Sequence, residues 1–217
     1  MSKKTRLALV FNIVLVGLEI AGTVLSIDLG LVDNLIHYTQ LSNFLSLIAS
    51  FILVIYIISK KNFEDIPLWV LMFKYLTVCC LALTFIVVVT VLIPTIFGFK
   101  HYLEGFLYLG LHSSMLFFHT LAPIVAIISF ILFEGDRRLN KKKTIYMGML
   151  LTVVYGLIMI VLNILGIVVG PYPFLEVMHN PWYMNIIWLV LILTINYIFA
   201  RLILLGNQIN APRIKRR

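Results

Sequence analysis

The chain has 217 residues, of which 62% are hydrophobic and 12% charged, and its mean hydropathy is +1.06. Soluble globular domains carry about 25% charged residues, so this composition excludes an ordinary soluble domain and indicates an integral membrane protein. Transmembrane spans and short loops account for nearly all of the residues, which leaves no room for a separate soluble domain.

Six apolar runs are long enough to cross a bilayer, which takes about 20 residues per helix. We predict a single all-α domain over residues 1–217, a polytopic membrane protein built as a six-helix transmembrane bundle. The predicted spans lie near 7–26, 36–59, 68–93, 111–133, 144–169 and 184–205. The outer connections 27–35, 94–110 and 170–183 are rich in aromatic residues, glycine and proline, so they are expected to lie in the interface or fold over the bundle.

The first span follows the basic leader MSKKTR, as a signal peptide would. Its apolar part is too long for a signal peptide, carries Glu19 and has no convincing cleavage site, so we interpret it as a true span. An ionisable residue inside a membrane is a functional candidate by default. Two interpretations of Glu19 stay open: a functional group, or a protonated or hydrogen-bonded structural one.

The formal net charge of +8 would fit nucleic-acid binding, but its placement argues against it. If six spans alternate in direction, the span ends next to the basic groups all lie on one side of the membrane. The loops on the opposite side contain a single lysine or arginine, Lys100. This positive-inside pattern predicts that both termini are cytoplasmic, and it excludes a nucleic-acid partner. Lys74, in the third span, is expected to extend towards the cytoplasm. The basic groups are Lys3, Lys4, Arg6, Lys60, Lys61, Arg137, Arg138, Lys141–Lys143, Arg213 and Lys215–Arg217.

A polar stripe begins the second span, in the sequence HYTQLSNFLS at 37–46. Thr39, Ser42, Asn43 and Ser46 are three or four residues apart, so they share one helix face. Small polar residues also let helices pack closely, which is the structural alternative.

The fourth span carries two histidines, His112 and His119, that are seven residues apart and are expected to share a helix face. Pro123 removes a backbone donor and is expected to kink the helix inward of His119. All five histidines fall in the outer half of the predicted topology. If spans two and four are neighbours, the stripe and the histidines meet in one cavity that opens outward.

A hydroxyl beside an imidazole is the minimum for acyl transfer, because the imidazole takes the hydroxyl proton and returns it to the leaving group. Thr39 and His119 would supply this pair. Asn43 or Ser42 would orient the base or donate to the oxyanion.

Two other functions are open. A zinc site would use His37, His112, His119 and His179, but the sequence has no HxxxH or HExxH pair, so no metal and no cofactor is predicted. A non-enzymatic binder or transporter of a lipid or small amphiphile would instead use Glu19, with Asn163 and Asn196 along its path.

Three motifs together resemble the androgen-induced gene 1 family and its bacterial relatives: Y-T-x-x-S-N at 38–43, His119 followed by Pro123, and YPFLEV at 172–177. The resemblance covers most of the chain, including the number of spans and the order of motifs.

The resemblance implies a multi-span hydrolase of fatty acid esters of hydroxy fatty acids, with Thr39 as nucleophile and His119 as its histidine. Its expected partners are membrane lipids and a lipid ester substrate, and its expected location is a cell membrane, in keeping with a bacterial plasma membrane. The residues expected to bind substrate or support the site are Tyr38, Ser42, Asn43, His112 and Glu19.

Overall fold

A computed structural model describes residues 1–26, 36–140 and 142–211, and within these ranges the chain is helical, without a strand. The predicted outer loop 27–35 and the basic residues Lys141, Arg213 and 215–217 lie outside the described residues. The helices are α1 (Lys3–Leu25), α2 (Tyr38–Lys60), α3 (Leu68–Phe97), α4 (Phe99–Leu111), α5 (Leu116–Leu132), α6 (Thr144–Ile164) and α7 (Trp182–Ile209).

Five helices, α1, α2, α3, α6 and α7, are long and apolar enough to cross a membrane, and the number is six if the bent pair of α4 and α5 counts as one span. The prediction of an all-α polytopic membrane bundle is therefore confirmed. Four helix ends differ from the predicted spans by four or five residues. Helix α1 begins at Lys3 rather than near residue 7, and α3 continues to Phe97 rather than ending near residue 93. Helix α6 ends at Ile164 rather than near residue 169, and α7 continues to Ile209 rather than ending near residue 205.

Helix α3 is the centre of the bundle, because most of its residues are buried, whereas only a minority of the residues of α6 and α7 are buried. It packs against α2, α5, α6 and α7, and α1 packs against α2 and α5. The expectation that Lys74 extends to the interface was wrong. Its side chain is fully buried, and its ammonium donates a hydrogen bond to the Ser50 hydroxyl on α2 (2.8 Å).

The two ends of the described chain lie at the same end of the bundle, which we call the basic end. Lys4 Nζ donates to the backbone oxygen of Asn210. At the same end Arg138 Nη1 donates to the backbone oxygen of Ile66 (2.9 Å), joining the two inner loops. Hydrogen bonds to Asp136 raise the pKa of the Arg138 guanidinium, so this loop residue stays charged. Both ends of the described chain lie at the basic end, which agrees with an even number of membrane crossings.

The fourth predicted span is interrupted, which corrects the expected helix over 111–133. Helix α4 ends at Leu111, and α5 begins at Leu116 after a bend of 95°. Because α5 has 17 residues, it is about 26 Å long and nearly spans the hydrocarbon layer by itself. Helix α4 therefore lies across the end of the bundle opposite the basic end, where an outer loop was expected.

Two π-helical turns interrupt the α-helices, Val88–Leu92 in α3 and Leu116–Leu121 in α5. Each is followed within two residues by a proline, Pro94 or Pro123. Proline has no N–H, and its ring clashes with the carbonyl four residues earlier. The preceding turn therefore widens into a π turn, in which each backbone hydrogen bond joins residues five positions apart. The kink expected at Pro123 is thus present as a π turn, and His119 lies within that turn.

Candidate functional site

The side chains of Thr39 and His119 meet at the end of the bundle opposite the basic end. Thr39 lies in the first turn of α2, and His119 lies in the π turn that begins α5. Thr39 Oγ1 is 3.2 Å from His119 Nε2, and each residue is only 6% exposed. The start of α2 and the start of α5 are neighbours, which is the condition that the sequence left open.

The hydrogen bond on the other ring nitrogen defines the tautomer of His119. Its Nδ1 contacts the backbone carbonyl of Leu109, which can only accept, so Nδ1 carries the proton. Nε2 then has a free lone pair towards the Thr39 hydroxyl. An imidazole held in this way can act as a general base, and the Leu109 carbonyl has the orienting role that a carboxylate has in a catalytic triad.

The carbonyl of Leu109 is available because α4 ends two residues later, and the last carbonyls of a helix have no partner within it. The next carbonyl, of Gly110, accepts a hydrogen bond from Thr120 Oγ1 (2.7 Å). The adjacent side chains of His119 and Thr120 thus join the start of α5 to the end of α4. The bend between the helices therefore positions the His119 imidazole.

Tyr172, in the outer loop, is a site residue that the residue-by-residue prediction missed. Its hydroxyl oxygen accepts a hydrogen bond from the Thr39 backbone N–H (3.3 Å) and is 3.5 Å from Thr39 Oγ1. Burial raises the pKa of Tyr172 above its ordinary value, so the phenol keeps its proton at neutral pH. The one sequence signal for it is its position in YPFLEV.

Ser42 and Asn43 support the backbone at Thr39 and do not line the cavity described below. Ser42 Oγ donates to the Thr39 carbonyl (3.0 Å). Asn43 Nδ2 donates to the same carbonyl (2.8 Å) and to the carbonyl of Phe118 (3.4 Å), beside His119. Both acceptors are backbone carbonyls, so Asn43 links the turn of α2 that carries Thr39 to the turn of α5 that carries His119. Its N–H groups are therefore not directed towards the position of an oxyanion.

Tyr38 joins α2 to α6. Its hydroxyl is 2.8 Å from Thr152 Oγ1, and its ring packs edge-on against Tyr155 with the centroids 5.1 Å apart. Tyr155 in turn donates to the backbone oxygen of Ile36 (2.7 Å). These contacts hold the first turn of α2 against α6, and Tyr38 also lines the cavity next to Thr39.

A cavity of about 440 Å³ lies between α2, α3, α6, α7 and the loop that carries Tyr172. Thr39 and Tyr172 are part of its wall, and His119 lies behind Thr39. The remaining wall is mostly aliphatic and aromatic, including Leu83, Phe174 and Trp188. A wall of this kind, with a few polar groups at one place, suits a ligand that is apolar along most of its length.

The cavity reaches the outer surface of the bundle between α6 and α7. Four residues both line it and are exposed on that surface: Val153, Leu157, Ile186 and Leu189. In a membrane this surface faces hydrocarbon, so the cavity communicates with the interior of the bilayer.

His112 lies apart from His119, which corrects the expectation of a shared helix face. It is exposed in the break after α4, where its ring stacks on Tyr108 with centroids 5.8 Å apart. His37 packs against the edge of Tyr172, and burial lowers its pKa, so it is neutral at neutral pH. Within the described ranges no three His, Cys, Asp or Glu side chains are close enough to hold a metal ion, so these histidines do not form the postulated zinc site.

Glu19 is not part of the cavity wall. It is buried at the contact between α1 and α2, beside Ser46. Asn163 makes hydrogen bonds with the backbone of Val168 (3.1 Å) and Met178 (3.2 Å) in the outer loop, so it holds that loop in place. Together with the buried Asn196, these residues were expected to line one path, and they do not line a common cavity.

In comparisons with known proteins, no family model, curated protein or solved structure matched this chain.

Proposed function

We propose that this protein is an intramembrane hydrolase of lipid acyl esters, with Thr39 as nucleophile and His119 as general base. The observation that carries the proposal is the 3.2 Å contact between Thr39 Oγ1 and His119 Nε2 at the wall of an apolar cavity. The hydroxyl faces the cavity, and the imidazole has the tautomer that accepts its proton.

In the proposed reaction, Thr39 Oγ1 attacks the ester carbonyl carbon while its proton passes to His119 Nε2. The tetrahedral intermediate collapses, the alcohol leaves with that proton, and the acyl group stays on Thr39. A water molecule then attacks the acyl carbon, again with His119 as base, which releases the fatty acid and restores the hydroxyl. The carbonyl oxygen of Leu109 stabilises the imidazolium that forms in both steps.

Tyr172 is the proposed donor to the oxyanion. Its oxygen accepts from the Thr39 N–H, so its own O–H can point into the cavity beside the attacking oxygen. A phenol that keeps its proton is able to donate to the charge that develops on the ester oxygen. A donor placed in advance in an apolar site stabilises that charge more than water would.

The cavity and the resemblance to the androgen-induced gene 1 family both support a lipid substrate. The cavity is apolar and opens sideways to the bilayer between α6 and α7, so an acyl chain can enter without leaving hydrocarbon. The site lies opposite the basic end, which the positive-inside rule assigns to the outer leaflet. Fatty acid esters of hydroxy fatty acids, the substrates that the resemblance implies, fit this description.

The alternative function, a binder or transporter that uses Glu19, stays a prediction. The cavity supports binding of an amphiphile, but Glu19 lies outside its wall. A transporter of this type would work with Thr39 replaced, whereas the hydrolase would not.

Active-site labelling tests the proposal. The protein, purified in lipid nanodiscs, is treated with a fluorophosphonate, and its intact mass and proteolytic fragments are measured. We expect one adduct per chain, on Thr39. Folded protein that takes up no adduct, or carries it on another residue, would contradict the proposed nucleophile.

Tyr172→Phe is expected to lower the rate of ester hydrolysis about 10²–10³-fold, the usual effect of removing one oxyanion donor. The ring and its stacking on Phe174 are kept, so the loop should remain in place. Hydrolysis of a fluorogenic acyl ester in nanodiscs measures the effect. A matched control is Tyr183→Phe, at an exposed tyrosine outside the cavity wall, which should retain the wild-type rate.

Gly170→Ala is expected to slow hydrolysis roughly 10–100-fold by moving the loop that carries Tyr172. A Cβ on Gly170 would lie 2.3 Å from the carbonyl carbon and oxygen of Leu175, so the backbone must shift. Gly17→Ala is the control, because a Cβ there meets no atom within 4 Å. Equal rates for the two variants would show that the position of the loop does not matter for the reaction.

A further inference from the structure

A second group of buried polar side chains lies inside the bundle, one to two turns of α2 further from its start than Thr39. Glu19 is completely buried, and neither carboxylate oxygen has a hydrogen-bond partner among the described residues. Ser46 faces Glu19 from α2, but its hydroxyl is not in hydrogen-bonding geometry with the carboxylate. The side-chain oxygen of Asn43, one turn earlier, is also buried and without a partner in this part of the structure.

The other buried glutamate, Glu134, has partners for one of its two carboxylate oxygens, while its Oε2 has none among the described residues. Its Oε1 accepts hydrogen bonds from Asn12 Nδ2 (2.6 Å) and Ser129 Oγ (2.5 Å). Glu19 has no such donors, although an unsatisfied buried charge is among the most unfavourable groups in a protein interior. The chain therefore keeps at Glu19 a group that needs a ligand.

The charges in this region do not balance. Lys74 is the buried cation, and it interacts electrostatically with both Glu19 and Glu134. Two ionised carboxylates beside one ammonium would leave one negative charge uncompensated around Lys74. Asp136 and Arg138, at the basic end, neutralise each other (2.7 Å), and His119 is engaged by Thr39 and Leu109. None of these groups supplies the missing positive charge.

We propose that Glu19, with Ser46 and Asn43, forms a second binding site inside the bundle that takes up one monovalent positive charge, either a sodium ion or a proton. The donors are a carboxylate, a hydroxyl and an amide oxygen, the oxygen ligands that a hard cation prefers. A bound cation would neutralise the residual charge and satisfy several acceptors that have no partner. This inference does not rest on the proposed hydrolase function.

The test compares the thermal unfolding of the wild-type protein and Glu19→Gln in nanodiscs. Sodium chloride is exchanged for choline chloride at constant ionic strength, and each exchange is made at one mildly acidic and one mildly alkaline pH. Glu104→Gln is the control, because Glu104 is an exposed glutamate paired with His101. A ligand that binds only the folded protein raises the unfolding temperature, here by roughly 2–4 °C.

Each source of the charge gives its own result. A sodium-dependent rise in the wild type and the control that is lost in Glu19→Gln identifies sodium. No sodium effect, with stability that falls as pH rises more steeply in the wild type than in Glu19→Gln, identifies a proton, because only the folded state holds it. The same dependence on sodium and pH in all three proteins overturns the proposal.

A second variant covers the case that Glu19→Gln does not fold. Glu134→Gln keeps the oxygen that Asn12 and Ser129 bind, but removes one negative charge, so Lys74 then balances Glu19. We expect the unfolding temperature of this variant to lose most of its dependence on sodium or pH. A wild-type dependence in Glu134→Gln would show that charge balance does not drive the binding.

Discussion

Replacing Thr39 with alanine is expected to abolish both fluorophosphonate labelling and ester hydrolysis. In the proposed reaction this hydroxyl attacks the carbonyl carbon, and no other side-chain hydroxyl lies within hydrogen-bonding distance of His119 Nε2 in the described residues. Thr39→Ser should keep labelling at the same position, because serine retains the attacking oxygen. Removing a nucleophile leaves at most the residual acceleration that the oxyanion donor and substrate binding provide.

The matched control for this prediction is Thr90→Ala. The hydroxyl of Thr90 donates to the backbone oxygen of Ile86, and Thr90 is exposed on α3 and does not line the cavity. We expect its labelling to equal that of the wild type. If Thr39→Ala protein still formed the adduct, another residue would be the nucleophile, whereas folded wild-type protein that forms no adduct would favour the binder or transporter function.

Replacing His119 with glutamine is expected to lower the rate of labelling and of hydrolysis about 10²–10⁴-fold, the usual contribution of a general base. Glutamine has a comparable size and can still contact the Leu109 carbonyl and the Thr39 hydroxyl, so the local packing is retained. It cannot take up the proton. The rate is measured as adduct formation against probe concentration, so that loss of reactivity is separated from loss of binding.

His112→Gln is the control for His119, since both histidines lie at the start of the predicted fourth span. His112 is exposed in the break between α4 and α5 and stacks only on Tyr108 in the described part of the chain. We expect this variant to react at the wild-type rate. The reverse result, a normal His119→Gln and an inactive His112→Gln, would disprove the assignment of the base.

The sequence by itself determined the class of protein and the placement of its spans. A run of about 20 apolar residues is stable in a bilayer only as a helix, because every backbone N–H and C=O must be bonded within the segment. The position of the basic residues predicted which ends lie together, and the contacts of Lys4 and Arg138 agree with it. The spacing of Thr39, Ser42, Asn43 and Ser46 likewise predicted a buried polar face, because the helical period alone decides which residues share a side.

The tertiary structure decided how the candidate site is built. Hydropathy averaged over a whole span cannot detect the 95° bend after Leu111, although that bend frees the carbonyl that orients His119. Tyr172 reaches Thr39 from a loop 133 residues away in sequence, a contact that depends on how α6 and α7 pack. The same holds for Lys74 and Glu19. Whether a long charged side chain extends to the interface or is enclosed depends on the neighbouring helices, and only the packed bundle shows that both are enclosed.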